Sequence, residues 1–177
     1  LESHPAQVTS IAFSPNSSQV ATGSADQIVR LFTVASGKLQ KALPAQAGPI
    51  SCVSLSANGQ LLVAGDTTGS VVLYKIADGS VQAKLAGHTA AITGVSFTVN
   101  SAQVVTTSRD KSLRVFGSAD GKLVRTIATG SEALSLSVSA NGVQAAVGGS
   151  DKAVRVYTLS DGKLTKTLGG HESAVTA

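Results

Sequence analysis

Ser108-Arg109-Asp110-Lys111-Ser112-Leu113-Arg114-Val115-Phe116 is followed by the turn Ser118-Ala119-Asp120-Gly121-Lys122. The stretch recurs. Ser24 to Phe32 reads SADQIVRLF, Gly149 to Tyr157 reads GSDKAVRVY, and Asp66 to Tyr74 reads DTTGSVVLY, a worn copy. Each copy is a tight polar turn followed by alternating apolar residues that end on an aromatic. Each then runs into a second tight turn: Ala35-Ser36-Gly37, Ala77-Asp78-Gly79, Ala119-Asp120-Gly121 or Ser160-Asp161-Gly162. Turn, strand and turn, four times over, point to a repeat protein.

The period is regular. The apolar residues Val8, Ile50, Ile92, Ala133 and Val175 are spaced by 42, 42, 41 and 42 residues. The aromatics Phe32, Tyr74, Phe116 and Tyr157 follow at 42, 42 and 41. That period lies in the range of four-stranded propeller blades.

Four short strands are predicted in each repeat. The first is Val8 to Phe13, with Ile50 to Leu55, Ile92 to Phe97 and Ala133 to Val138 as its equivalents. A hairpin turn centred on Asn16, Asn58, Asn100 or Asn141 follows. The Asn-Gly pairs predict two successive residues at positive φ. The second strand is Gln19 to Thr22, Leu61 to Ala64, Gln103 to Thr106 or Gln144 to Val147, and the third ends on the aromatic. The fourth is Lys38 to Leu43, Ser80 to Leu85, Lys122 to Ile127 or Lys163 to Leu168. No room is left for helices. The fold class is all-β: four four-stranded antiparallel meander sheets. One such sheet cannot bury both faces, but sheets stacked side by side around an axis can.

Composition agrees. Of 177 residues, 42% are hydrophobic and 14% charged, too apolar for disorder. Aromatics make up 3%, so the core must be Val, Leu, Ile and Ala, residues at home in strands. The net charge of +4 comes from basic residues scattered one or two per repeat, which favours solubilising lysines over a nucleic-acid surface. The single Cys52 excludes an internal disulfide framework and a multi-cysteine zinc site, and leaves the compartment open. No apolar run approaches the roughly 18 residues that span a membrane.

With these residues in view, essentially the whole chain resembles the WD-repeat β-propeller family. The family's opening Gly-His is present as Gly87-His88 and Gly170-His171, and as Ser3-His4. Its closing Trp-Asp is degraded: Phe32, Tyr74, Phe116 or Tyr157 replaces the Trp, and Thr33, Lys75, Gly117 or Thr158 the Asp. The resemblance implies blades of about 4–45, 46–87, 88–129 and 130–170, with 171–177 beginning a fifth repeat. It also implies a hydrogen-bonded brace of His, Ser or Thr, Asp and Trp in each blade. By position this falls on His4, Thr22, Asp26 and Phe32 in the first blade and on His88, Thr106, Asp110 and Phe116 in the third. Phe has no N–H, so each should hold a three-membered chain from Asp through His to Thr. The second blade has Gln46, Ala64, Thr68 and Tyr74, so its brace is expected to be lost. The fourth keeps Asp151 beside Thr129, Val147 and Tyr157.

Catalytic and metal chemistry find little support. An Asp-His-Thr chain resembles a catalytic triad, but it recurs in two blades, and satisfying buried polar groups accounts for it. His4, His88 and His171 occupy the same corner of successive repeats, which fans them apart, so no metal site and no cofactor are expected. His171-Glu172 lacks the second histidine of a zinc-protease helix, since position 175 is valine. Gly117 to Lys122 resembles a phosphate loop but is one residue short and falls on a hairpin. Asn16-Ser17-Ser18 fits a glycosylation acceptor, a triplet common by chance. Arg30, Arg114 and Arg155 share one position and could track phosphates, but Val72 interrupts the row, which favours local pairing along the neighbouring blade.

The resemblance therefore implies a non-catalytic protein-binding scaffold. Its candidate binding loops carry Asp26 and Gln27, Thr67 and Thr68, Arg109 and Lys111, and Lys152. The Asp-Gly-Lys turns resemble those of bacterial arrays. Rings of the family usually have seven or eight blades, so four should make about half a ring. The expected partner is protein: a second copy closing the ring, or the remainder of a longer chain. Leu1 to His4 matches Leu168 to His171, and the absence of an initiator Met favours a segment of a longer array. A propeller enzyme or a nucleic-acid-associated scaffold is the alternative.

Overall fold

The computed structural model describes residues 4–177. Among these there are sixteen strands and no helix. The first sheet holds β1 (Val8–Phe13), β2 (Gln19–Ser24), β3 (Val29–Thr33) and β4 (Leu39–Ala42). The second holds β5 (Ile50–Leu55), β6 (Leu61–Asp66), β7 (Val71–Lys75) and β8 (Val81–Lys84). The third holds β9 (Ile92–Phe97), β10 (Gln103–Ser108), β11 (Ser112–Gly117) and β12 (Leu123–Ala128). The fourth holds β13 (Ala133–Val138), β14 (Gln144–Gly149), β15 (Val154–Thr158) and β16 (Leu164–Leu168). Every sheet is an antiparallel meander in chain order. The first strands have the bounds predicted from the apolar pattern. The second strands each run two residues further, because the next two residues still pair with the first strand.

Three apolar clusters sit between the four sheets. The first joins Ala21, Leu31 and Leu43 to Ile50, Leu62 and Tyr74. The second joins Leu61, Val63 and Leu73 to Ile92, Val104 and Phe116. The third joins Val105, Leu113 and Ile127 to Ala133, Val147 and Tyr157. Along β6, Leu62 and Ala64 face the first sheet and Leu61 and Val63 the third, the period-2 alternation of a strand buried on both faces. All six residues of β6 are buried.

The junctions between sheets repeat one design. A hydroxyl on each first strand donates to the carbonyl of the first residue of the next sheet: Thr9 to Ile50 (2.5 Å), Ser51 to Ile92 (2.6 Å) and Thr93 to Ala133 (2.9 Å). Ile50 packs directly on Gly23, and Ile92 on Gly65, so closely that a Cβ on either glycine would collide. At the third junction Thr107 takes the glycine's place and the facing residue is the small Ala133. At the periphery Lys41 donates to the carbonyls of Ile76 (3.1 Å) and Ala77 (2.8 Å). Gln82 reaches Ser118 (2.6 Å), and Arg125 reaches Ser160 (2.7 Å) and Asp161 (3.2 Å) in the same way.

The hairpin turns after the first strands depart from the predicted pair of positive-φ residues. Only the residue after the asparagine is left-handed: Ser17 (57°), Gly59 (69°), Ser101 (58°) and Gly142 (70°). The asparagine works through its side chain instead. Ser14, Ser56, Thr98 and Ser139 each donate to the Asn Oδ1 two residues on, at 2.7–2.8 Å. The same hydroxyls accept the N–H of Gln19, Leu61, Gln103 and Gln144. Five-residue loops are thereby pinned by side chains rather than by a two-residue primed turn.

Candidate functional site

The polar cluster of the third sheet is built on the turn between β10 and β11. Lys111 is left-handed there (φ 65°), which folds Asp110 back over the sheet edge. Asp110 Oδ2 lies 2.7 Å from His88 Nδ1, and His88 Nε2 lies 2.7 Å from Thr106 Oγ1. A carboxylate can only accept, so Nδ1 carries the proton and Nε2 accepts from the threonine hydroxyl. Asp110 also accepts from Thr89 N (3.2 Å), Ser112 N (3.0 Å) and Ser112 Oγ (2.6 Å). Burial lowers the His88 pKa, against the pull of Asp110, and keeps the ring neutral. Burial also opposes ionisation of Asp110, but the hydrogen bonds from Ser112 and His88 outweigh it and hold its pKa below the usual range.

This cluster has the composition of a catalytic triad without its access. The His88 side chain is 0% exposed and that of Asp110 6%. Both imidazole nitrogens are engaged within the fold, so no proton position faces a substrate. Cys52 is equally withdrawn: burial pushes its thiol up to about 11, which leaves it a thiol at neutral pH. Among the described residues no three His, Cys, Asp or Glu side chains gather as metal ligands.

The first sheet departs from the expected chain. His4 Nε2 meets Thr22 Oγ1 at 2.7 Å, and its ring lies 5.5 Å from that of Phe32. Asp26, however, turns to Arg30, four residues on: Oδ2 and Nη1 are 2.8 Å apart, although poorly directed for a hydrogen bond. In the fourth sheet Asp151 likewise forks onto Arg155 at 2.5 and 3.0 Å and accepts from Ser131 Oγ at 3.0 Å. The Arg155 guanidinium holds the Asp151 carboxyl far below the usual range. In the first and fourth sheets the arginine four residues on thus takes the carboxylate that no buried histidine holds. Where His88 holds Asp110, Arg114 lies against Gly87 instead.

The second sheet has no Asp–His–Thr chain, since Gln46 and Ala64 stand at the histidine and threonine positions, but it holds a different carboxylate network. Asp66 carries it from a position two residues earlier in the repeat. It is 0% exposed and accepts from Gly48 N (3.1 Å), Thr68 N (2.8 Å), Thr68 Oγ1 (2.7 Å) and Ser70 N (2.9 Å). Gln46, in the histidine's place, donates to the Ala64 carbonyl at 3.2 Å, and Tyr74 OH donates to Pro44 O at 3.0 Å. The signal was present in the string Asp66-Thr67-Thr68-Gly69-Ser70, in which an Asp followed by Thr and Gly is an Asx-turn pattern.

The rim loops lie where β2, β6, β10 and β14 turn into their successors. Gln27, Thr67, Thr68, Arg109, Lys111 and Lys152 are exposed and Asp26 partly so. Gln27, Lys111 and Lys152 are all left-handed, at the position that Gly69 occupies in the second sheet. Arg109 is not free: its Nη1 pairs with Glu132 Oε2 at 3.0 Å, linking the third loop to the fourth sheet.

Residues 1–33, 37–75 and 79–117 match the WD40 family (WD domain, G-beta repeat), well over half of the sequence. The chain belongs to the WD-repeat family. The matched units are out of phase with the sheets: 37–75 holds β4 and then β5 to β7. Structures of U3-55K and of the RRP9 WD40 repeats superpose with TM-scores of 0.89 and 0.90, at 21% identity over 99% of this chain. Only 55% of each of those chains is covered, so this chain spans about half their length. The likeness is one of fold, and 1654 chains of solved structures share it. No curated protein matches the sequence. The four sheets are therefore WD-repeat blades.

Proposed function

We propose that this chain is a non-catalytic protein–protein interaction scaffold. In this reading its four blades form about half of a ring of roughly seven or eight, completed by a second copy or by the rest of a longer chain. One observation carries it. On the first blade Ile11 is 68% exposed and Phe13 64%, whereas their equivalents Val53 and Phe97 are 7% and 8% exposed. The remaining equivalents, Leu55, Val95, Leu136 and Val138, are half-buried, so these positions are withdrawn from water wherever a preceding blade covers them. A soluble protein does not leave a stacked apolar sheet face in water.

The acids support the non-catalytic part. Asp78, Asp120 and Asp161 each accept the backbone N–H two residues on, at 2.9–3.1 Å, as turn caps. Asp66, Asp110 and Asp151 are held in the networks above. The rim loops remain as the surface for a protein partner, with Gln27, Thr67, Thr68, Lys111 and Lys152 as its exposed contacts.

Two measurements test the reading. Alanine replacement of Gln27, Thr67, Lys111 and Lys152, leaving Thr68 in its bond to Asp66, should remove captured partners while the melting temperature holds; an unchanged partner set sinks the rim assignment. The purified chain should bind an apolar dye such as anilinonaphthalene sulfonate through its open faces. A cooperatively folding monomer that binds no dye sinks the incomplete ring.

A further inference from the structure

We infer that the cleft between the third and fourth blades binds a carboxylate, presented as an acidic side chain by the protein partner. The inference rests on the scaffold reading and names a chemistry for that partner. The cleft has a volume of about 440 Å³, in the range of small-ligand sites. Its walls are the edge strand β12 with the loop after it, and β15 with the turn into β16. It opens where the fourth blade lacks the histidine of the brace. From Ile127 to Ala133 the loop is one residue shorter than from Leu85 to Ile92. Thr129, at the histidine's position, donates to Ser131 O at 2.8 Å and stays within its own loop. At the same place in the third blade His88 bridges Asp110 and Thr106, and Arg114 lies so close over Gly87 that a Cβ there would collide. In the fourth blade Arg155 is forked onto Asp151 instead, and a Cβ on Gly130 would meet nothing within 4 Å.

Two donors on the cleft walls have no acceptor among the described residues. Tyr157 is 3% exposed. Its counterpart Tyr74 donates to Pro44 O at 3.0 Å, but Tyr157 makes no such bond to the matching Ala128. Burial raises the pKa of the phenol, so it remains a donor at neutral pH. Arg125 spends Nη1 and Nη2 on the carbonyls of Asp161 and Ser160, and its buried Nε has no partner. Carbonyls carry no net charge. Asp151 balances Arg155, and no carboxylate among the described residues balances Arg125. The cleft thus holds one unbalanced positive charge and two unused donors beside the apolar Ile127 and Leu164. A carboxylate brings one negative charge and two acceptor oxygens. A phosphate brings a second negative charge that nothing here balances. The place of the cleft favours a carboxylate on a protein. Lys152 of the rim follows Asp151 directly, and Leu164 is 51% exposed. A chain lying on the rim can lower an acidic side chain into the cleft and rest an apolar neighbour on Leu164.

Proton–nitrogen correlation NMR of the full chain, titrated with acetyl-Leu-Glu-Leu-amide, tests the inference. Gly130 and Gly162 line the cleft and serve as reporters. Their amide signals should shift, and the glutamate peptide should bind about tenfold more tightly than acetyl-Leu-Gln-Leu-amide. Tyr157→Phe deletes a hydroxyl that holds nothing in the fold. It should weaken the glutamate peptide about tenfold and leave the melting temperature unchanged. Arg125→Lys keeps the charge and the clasp that Lys41 makes from the same position on the first blade, but loses Nε. It should weaken binding severalfold. Equal binding of the two peptides overturns the inference, as does a Tyr157→Phe chain that binds like wild type. Propionate that binds as tightly as the glutamate peptide keeps the carboxylate and overturns its protein source. No shift at Gly130 or Gly162 with any of the three probes overturns the cleft alone. Partner capture by the rim loops, which share no residue with it, still decides the scaffold reading.

Discussion

Asp110 accepts four hydrogen bonds, and Asp66, two positions earlier in its repeat, accepts four as well. Removing either leaves buried donors unpaired. Asp110→Ala should cost about 1–3 kcal/mol and Asp66→Ala at least as much. Thr68→Ala deletes one bond of that network and should cost about 1 kcal/mol, not nothing. Urea denaturation of the three variants orders them, and a neutral Asp66→Ala would dismiss its network. The histidine adds a pH dependence. His88 is held neutral in the fold, while an unfolded histidine titrates near 6.5. The unfolded chain therefore binds the extra proton first, so stability is full above that pH and declines below it. Asp110, with its lowered pKa, contributes stability that is present above the unfolded carboxylate value and lost as pH falls beneath it. His88→Gln borrows the residue that the second blade already uses at Gln46. Its melting temperature should fall less steeply than wild type between pH 8 and 5; parallel slopes would show that His88 titrates freely.

The hairpin loop is the element that repeats most faithfully. Its hydroxyl and asparagine act together, so the acceptor matters and the amide N–H₂ does not. Asn58→Asp keeps both bonds to Oδ1 and should be nearly neutral, whereas Ser56→Ala strips the acceptor from Leu61 N and should cost about 1–2 kcal/mol. Equal losses in chemical denaturation would contradict this division. The loop also shows what could be read in advance. Strand positions followed from alternation and period, because a one-residue slip would turn the buried side chains outward. The turn's location was legible from asparagine, but its geometry was not, since Asn-Gly suits both a primed turn and a side-chain-pinned loop. The braces were legible where His88 and Asp110 sit at family positions. They were not where Arg30 draws Asp26 away or Asp66 replaces Thr68, because pairing depends on which neighbour reaches the carboxylate first.

At the scale of the molecule, each blade touches only its neighbours, so stability is approximately a sum of blade and junction terms. The second and third blades have two junctions each and the first has one. Ile50 is 0% exposed and, with Val53 beside it, seats the first blade's Gly23 on the second. Ile50→Ala should therefore cost about 2–5 kcal/mol. That loss should also be local. With its single junction weakened, the first blade can open while the clusters between the second, third and fourth blades stay closed. Native-state hydrogen exchange should then show β1 to β4 losing protection most, the second blade less, and β13 to β16 unchanged. Wild type should already exchange fastest in the fully exposed β16 and slowest in the fully buried β6. A uniform acceleration across all four blades would mean that the array opens as one unit, and the nearest-neighbour account would have to be given up.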